Sequence, residues 1–406
     1  MNRLNLRMPT KYFPEIDLLR GVGVAMMIAN HFGYGLLSQQ GRSSPIGGSL
    51  VLVGSFAPVL FFLTTGIGVG IHRGRPVQWT RVACKVAILF AADAIMMLAL
   101  SGGLGFDFLA FIGLSTLVCA LLTRSKYALT LSAIGFCAFA ALRFVAGAAL
   151  RRYLSHEELY RVNLLVGVES IQEISYPLAP WLCFPFLGFC LSPFIERSRE
   201  DAQWSRTNLV MLFAGAIALG LSWFAVRNGA YFVRYATVSA AFFGVSLGVV
   251  FVLTAVCRVA SHPKNAVVGS ASRFFEIRGV ACLAIVPIHY LLLEVTRSFG
   301  WSEFTAGEFV VVLAVAIPVC FLLGRSFENL ATATVAAYPS GIIIGGSTFV
   351  FAVSVMICYE LSSPLPRMFA LFCGQAALCI LLSGTDGWLP RSAAGRNRES
   401  RVSAWD

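Results

Sequence analysis

The chain reads as a succession of long apolar runs separated by short polar joins. Runs of about 20 residues, the length a helix needs to cross the hydrocarbon layer, fall near 17–37, 50–71, 83–100, 104–123, 128–150, 177–195, 208–226, 235–257, 279–296, 308–324, 341–360 and 367–385. The pattern predicts twelve spans, those near 83–123 and 308–360 being the least sharply bounded. The fold class expected is an all-α polytopic membrane protein, a bundle of about 10–12 transmembrane helices around a cavity. Residues 1–388 form the membrane domain in this reading, and 389–406, polar and rich in Arg and Ser, a disordered cytoplasmic tail. Residues 1–16 are polar and basic, and no small-residue cleavage pattern follows the first apolar run, so that run is expected to be retained as a helix.

Composition agrees with the pattern. Hydrophobic residues make up 57% of the 406, charged residues 13%, and the mean hydropathy is +0.77, whereas a soluble chain carries roughly twice that charge. A net charge of +11 raises the possibility of a nucleic-acid partner, but Lys and Arg sit in the joins, where they orient a membrane protein. With the N-terminus in the cytoplasm, 22 of the 31 basic residues fall on the cytoplasmic side. The expected topology is N-in and C-in, in the lipid bilayer and without a nucleic-acid partner. The eleven cysteines lie mostly within apolar runs and include no CxxC pair. They read as small buried hydrophobes, so neither a disulfide framework nor a metal site is expected. The longest outer loop, 151–176, carries Glu157, Glu158, Glu169 and Glu173. It reads either as a short amphipathic helix over a cavity mouth or as a solvated acidic loop.

The candidate chemistry begins in "DLLRGVGVAMMIANH", residues 17–31. Eleven residues at about 100° each return to within about 20° of the starting direction, so Arg20 and His31 share one helix face, about 16 Å apart along the axis. Arg20 alone is the usual interfacial anchor, but an ionisable residue inside a span is a functional candidate by default. A guanidinium at the cytoplasmic mouth can hold phosphates, and an imidazole deep in the same groove can act as a base. Acyl-coenzyme A, with phosphates at one end of a long arm and a thioester at the other, fits such a ruler. Asn30 either contacts the acceptor or an oxyanion, or bridges helices by hydrogen bonding. Asp17, one turn before Arg20, either fixes its rotamer or caps the helix start. Arg73, Arg75, Arg81 and Lys85 in the second cytoplasmic join either help bind coenzyme A phosphates or serve topology alone. Asp93 lies inside a span, where Arg143 could neutralise it, as a structural pair or to orient a histidine. Arg278 and His289 repeat the eleven-residue spacing: "RGVACLAIVPIH" aligns on "RGVGVAMMIANH" at Arg, Gly, Val and His. This is either a parallel internal repeat or chance, and His289 either lines the cavity of His31 or is satisfied by a neighbouring helix.

"EIDLLRGVGVAMMIANH" resembles the first-helix signature of transmembrane acyltransferases. Its Arg-x10-His spacing is similar to that of the acyltransferase-three family, and its Met-rich continuation with Asn30–His31 to the heparan-α-glucosaminide N-acetyltransferase-like branch. "GSFAPVLFFLTTGIGVGIHRGR", "YPLAPWLCFPFLGF" (176–189) and "FFEIRGVACLAIVPIHYLLLEV" (274–295) are similar to later helices of the same branch, in the same order. Together the four segments cover about a fifth of the chain. The long loop and histidine placement of the animal lysosomal enzyme are not recognisable, nor is the acidic second-helix motif of osmoregulated-glucan succinyltransferases, which leaves acyl group and acceptor open.

The resemblance implies a membrane enzyme that moves an acyl group, acetyl being the expected one, from cytoplasmic acyl-CoA to a hydroxyl or amine. The acceptor it implies is a glycan, a glycolipid or a glycosylated small molecule. His31 would be the base or the acyl carrier, with Asn30 and His289 beside it and Arg20 at the nucleotide end. A bacterial inner membrane is the expected location, and a homo-oligomer remains open. The rival reading is a transporter or flippase with a midplane polar site.

Overall fold

Pro14 opens helix α1 (Pro14–Leu36), where its missing N–H is one the first turn would leave unbonded anyway, and Glu15 and Asp17 stand at the positive end of the helix. The structure, a computed structural model, describes residues 13–168, 174–197, 201–232, 238–261 and 272–388. The tail 389–406, Glu169 and Glu173 of the outer loop, and the basic residues Arg3, Arg7, Lys11, Arg199 and Lys264 lie outside the described residues.

After α1 come α2 (Pro45–Gly54) and α3 (Ala57–Gly70), α4 (Trp79–Ser101), α5 (Phe108–Leu122), and α6 (Ala128–Ala141), which continues through a π turn at Leu142–Ala146 to Tyr153. Then follow α7 (His156–Val166), a turn at Leu178–Trp181 leading into α8 (Cys183–Arg197), α9 (Asp201–Arg227), α10 (Ala240–Ala260), α11 (Gly279–Ser298), α12 (Ala306–Ala337), α13 (Ser340–Glu360) and α14 (Pro364–Trp388). Among the described residues ten of these stretches, α2 and α3 counting as one, are long and apolar enough to cross a membrane, and the chain is an integral membrane protein; α1, the first of the twelve predicted spans, carries three charges in its first two turns and is not among the ten. The predicted span near 104–123 is the 15-residue α5. The predicted span 308–324 instead belongs to a 32-residue helix. Beyond Arg325 the sequence turns polar but stays rich in Ala and Leu, good helix formers, so the helix runs on past the apolar run that marked it.

Helix α1 lies among α2, α3, α10, α11 and α12. Its C-terminal end is tied to the join before α12: Phe304 donates its N–H to Leu36 O at 2.8 Å, and Ser38 donates to Phe304 O at 3.1 Å. Its N-terminal end is tied to the join before α11, where the Ile277 N–H donates to Asp17 O at 3.0 Å. Helix α7, in the join between α6 and α8, has a capping box between Ser155 and Glu158 and buries Leu159 and Val166 against the chain. Glu157 pairs with Arg161 on the surface at 2.6 Å.

Asp93 does not pair with Arg143. Its carboxylate accepts the backbone N–H of Asp107 at 3.0 Å and of Leu109 at 2.9 Å, so it caps the first turn of α5. Free N–H groups of a helix start, fixed in place and bearing partial positive charge, satisfy a buried carboxylate without a distant cation. Arg143 sits in the π turn of α6, its guanidinium 5.9 Å from the Phe144 ring. Asp93→Ala leaves two buried donors without an acceptor and is expected to cost about 1–3 kcal/mol. Asp93→Asn, which keeps one acceptor, falls between; thermal unfolding in detergent compares the three proteins.

Candidate active site

Between α2 and α3 the helix breaks at Ser55–Phe56. The Ser55 and Phe56 N–H groups turn to Leu52 O and Val53 O, at 3.0 and 3.1 Å, in the tighter i→i−3 pattern. Val51 O therefore loses its backbone partner. Asn30 supplies one, donating its Nδ2 to Val51 O at 2.9 Å with Ser55 Oγ at 3.4 Å, and Ser55 Oγ also donates to Val51 O. The Asn30 amide nitrogen is thus committed to bridging α1 and α2, the second of its two sequence readings, although the residue also borders the cavity next to it.

That cavity, of about 60 Å3, is enclosed by α1, the α2–α3 break, α5 and α11. Its polar rim is Asn30, His31, Asp107, Tyr176 and Tyr290, and Phe61 and Phe108 are among its apolar walls. At about 10–15 Å3 per water-sized occupant it has room for roughly four waters, or a group of a few heavy atoms such as an acetyl.

His31 and His289, 258 positions apart, meet here: His31 Nδ1 lies 2.7 Å from His289 Nε2, and His289 Nδ1 lies 2.9 Å from Ile285 O. A carbonyl can only accept, so His289 carries its proton on Nδ1 and presents a bare Nε2. His31 then donates from Nδ1, which leaves its own Nε2 with a free lone pair while both rings are neutral. The His31 ring packs on one side against two rings of α11, those of His289 and Tyr290, each 4.9 Å away and inclined by little more than 20°, which are themselves 4.2 Å apart. His289 is fully buried and stands behind His31 instead of lining the cavity.

Asp107, Tyr176 and Tyr290 were not singled out from the sequence. Asp107 precedes α5 in "GFDFLAF", a lone carboxylate between two apolar runs, and that isolation was the available signal. Its carboxyl accepts a hydrogen bond from Ser175. Nothing local marks Tyr176, in the join before α8, or Tyr290, midway along α11, apart from the chain's other aromatics.

The basic residues separate into distinct settings. Arg20 donates from Nη1 to Asp17 Oδ1 at 2.6 Å, so Asp17 fixes its rotamer. Nη2 lies beside Gly68 of α3, 3.5 Å from where a side chain would begin there. Arg73 is bound into the end of α8, donating to Ser192 Oγ at 3.1 Å and pairing with Glu196 at 3.2 Å. Arg75 is exposed, and Arg81 and Lys85 lie half-buried at the start of α4. No group of three or more His, Cys, Asp or Glu side chains able to hold a metal occurs among the described residues.

The chain is thus a bundle of apolar helices with two imidazoles in hydrogen-bond contact beside a cavity. The catalytic-domain profile of heparan-alpha-glucosaminide N-acetyltransferase matches residues 13–226, just over half of the chain. The chain therefore belongs to that family, and it is a membrane transferase of the acetyltransferase type. No curated protein and no solved structure matches it.

Proposed function

We propose that the protein transfers an acetyl group from cytoplasmic acetyl-CoA to a hydroxyl or amine of a sugar-containing acceptor, with His31 as general base. The observation that carries this reading is the His31–His289 pair, which leaves His31 Nε2 as a lone pair at an acetyl-sized cavity. The residues present fit the donor at both ends. Arg20 offers a guanidinium, one quarter exposed, at the inner end, and the cavity accepts the acyl group about 16 Å further along the same helix face. Between them that face carries Gly23, Val24 and Met27, apolar and buried in the core, so seating the long arm there requires α1 and its neighbours to part.

In the proposed reaction His31 Nε2 removes the proton from the acceptor O–H or N–H as the acceptor atom bonds to the thioester carbonyl carbon. The C–S bond breaks, and His31 returns the proton to the departing coenzyme A sulfur, so the products are the acylated acceptor and the free thiol. His289 holds the tautomer throughout: the imidazolium formed on His31 still donates from Nδ1 to His289 Nε2. Asp107, Tyr176 and Tyr290 stand where the acceptor's reacting end would enter, and the sugar itself would lie outside. Cytoplasmic termini and a bacterial inner membrane accompany this reading, because they place Arg20 on the side that holds acyl-CoA.

The test needs no acceptor. Thermal unfolding of the purified protein is followed with and without acetyl-CoA, alongside Arg20→Ala. At 100 times its dissociation constant the donor is expected to stabilise the fold by about 2.7 kcal/mol, and the shift is expected to vanish in the variant. A well-folded protein that shows no shift at any concentration removes acetyl-CoA as the donor and restores the transporter reading.

A further inference from the structure

The two Arg-x10-His helices are neighbours and run the same way. Their histidines touch at one end, at 2.7 Å. At the other end the Ile277 N–H donates to Asp17 O at 3.0 Å, immediately before Arg278 starts α11. Gly21 allows this approach: a Cβ there would lie 1.7 Å from Phe275 O. Equal spacing on parallel helices joined at both ends sets Arg278 at the level of Arg20, each about 16 Å below its histidine.

We propose that Arg278 is a second donor-binding residue. With Arg20 it forms a two-arginine seat for the phosphates of the nucleotide end, α3 and α11 being the walls of the groove whose floor is α1. This inference rests on the acyl-CoA reading and extends it to a residue on the other helix.

Three features support the assignment. The Arg20 fork is already oriented by Asp17 on Nη1, and its Nη2 has no partner among the described residues. Arg278 is exposed at the inner end, and a side chain at the adjacent Gly279 would meet nothing within 4 Å, so there is open space beside it. The third is the ligand's own charge: a pyrophosphate with a further phosphate carries several negative charges, more than one guanidinium that already shares Asp17 can neutralise. The neighbouring Arg325 is not available for this, because its Nη2 is turned back to the carbonyls of Arg273, Phe274 and Glu276 at 2.7, 2.7 and 3.0 Å. Glu328 of α12 lies within electrostatic reach of Arg278 and Arg325 and offsets one of their two positive charges.

The experiment measures the affinity of acetyl-CoA for wild type, Arg20→Ala, Arg278→Ala and Arg278→Lys in detergent at two salt concentrations, with the ligand-free unfolding temperature of each as the check on folding. Arg278→Ala is expected to weaken acetyl-CoA at least tenfold and to flatten the salt dependence. Arg278→Lys, which keeps the charge, is expected to recover most of the affinity; should the alanine variant not fold, Arg278→Gln takes its place. S-acetylpantetheine, which has the thioester and arm but no nucleotide, is expected to bind wild type and Arg278→Ala alike. Unchanged acetyl-CoA affinity in Arg278→Ala, with Arg20→Ala impaired, overturns the two-arginine seat and leaves the donor reading intact. Equal loss of acetyl-CoA and S-acetylpantetheine in Arg278→Ala also overturns it, by assigning Arg278 to the helix start. Failure of wild type to bind acetyl-CoA removes the donor reading itself.

Discussion

Replacing His31 by asparagine is expected to lower acyl transfer by 10^2–10^4-fold, the usual contribution of a positioned general base. Asparagine is the informative substitution because its side-chain nitrogen takes about the place of the imidazole Nδ1. It can still donate to His289 Nε2, which the native pair holds at 2.7 Å, and only the outward-facing base is removed. Fold and donor binding should therefore survive. Alanine would also strand the buried His289 acceptor, at a cost of about 1–3 kcal/mol, and confuse a catalytic loss with a structural one. The measurement is release of coenzyme A thiol in the presence of a panel of amino-sugar and neutral-sugar acceptors, with acetyl-CoA binding measured on the same preparation. Transfer at the wild-type rate in His31→Asn would sink the assignment of His31 as base. His289→Ala is expected to lose less, about 10–100-fold, because it orients the base without touching the substrate.

The largest expected loss of stability comes from the contact between α3 and α8. Gly66 and Gly70 on α3 face Gly188 and Ser192 on α8, four residues apart in each helix, a spacing that lets two backbones approach closely within a membrane. A Cβ on Gly66 would lie 1.9 Å from Pro185 O, and one on Gly188 would lie 2.1 Å from Leu63 O. Both obstacles are backbone, so no side-chain rotation relieves them. Gly66→Ala and Gly188→Ala are each expected to cost about 1–3 kcal/mol as the helices are forced apart, and Gly66→Leu to prevent assembly of the native bundle. Thermal unfolding and the yield of monodisperse protein report both outcomes. A Gly66→Leu protein that unfolds at the wild-type temperature would show that this close approach is not a feature of the folded protein. Because α3 carries Ala57, Pro58 and Phe61 on the cavity wall, the milder alanine variants are also expected to weaken donor binding.

What the sequence determined by itself follows from short-range periodicity and from the solvent preference of whole segments. The apolar runs located the spans because lipid demands about 20 apolar residues in succession. Arg20 and His31 could be placed on one face because a helix repeats every 3.6 residues whatever surrounds it. The alignment of Arg278 and His289 on Arg20 and His31 was likewise visible in the text, as was the resemblance that the family match over residues 13–226 bears out.

Tertiary structure decided everything that depends on which helices touch. That His31 and His289 meet, at a separation of 258 positions, cannot be read from either segment, because a helix face does not name its partner. The same holds for Asp93: the sequence pointed to a charge, Arg143, whereas the fold supplied the backbone N–H groups of Asp107 and Leu109. Helix starts offer donors that no side-chain inventory counts. Asn30 was legible as polar and buried, but its bond to Val51 O exists because the chain breaks at Ser55–Phe56, a break that Pro58 marks without saying which side chain will bridge it. Asp107 entered the cavity by the packing of α5 against its neighbours, an arrangement of long-range contacts that local sequence rules do not contain.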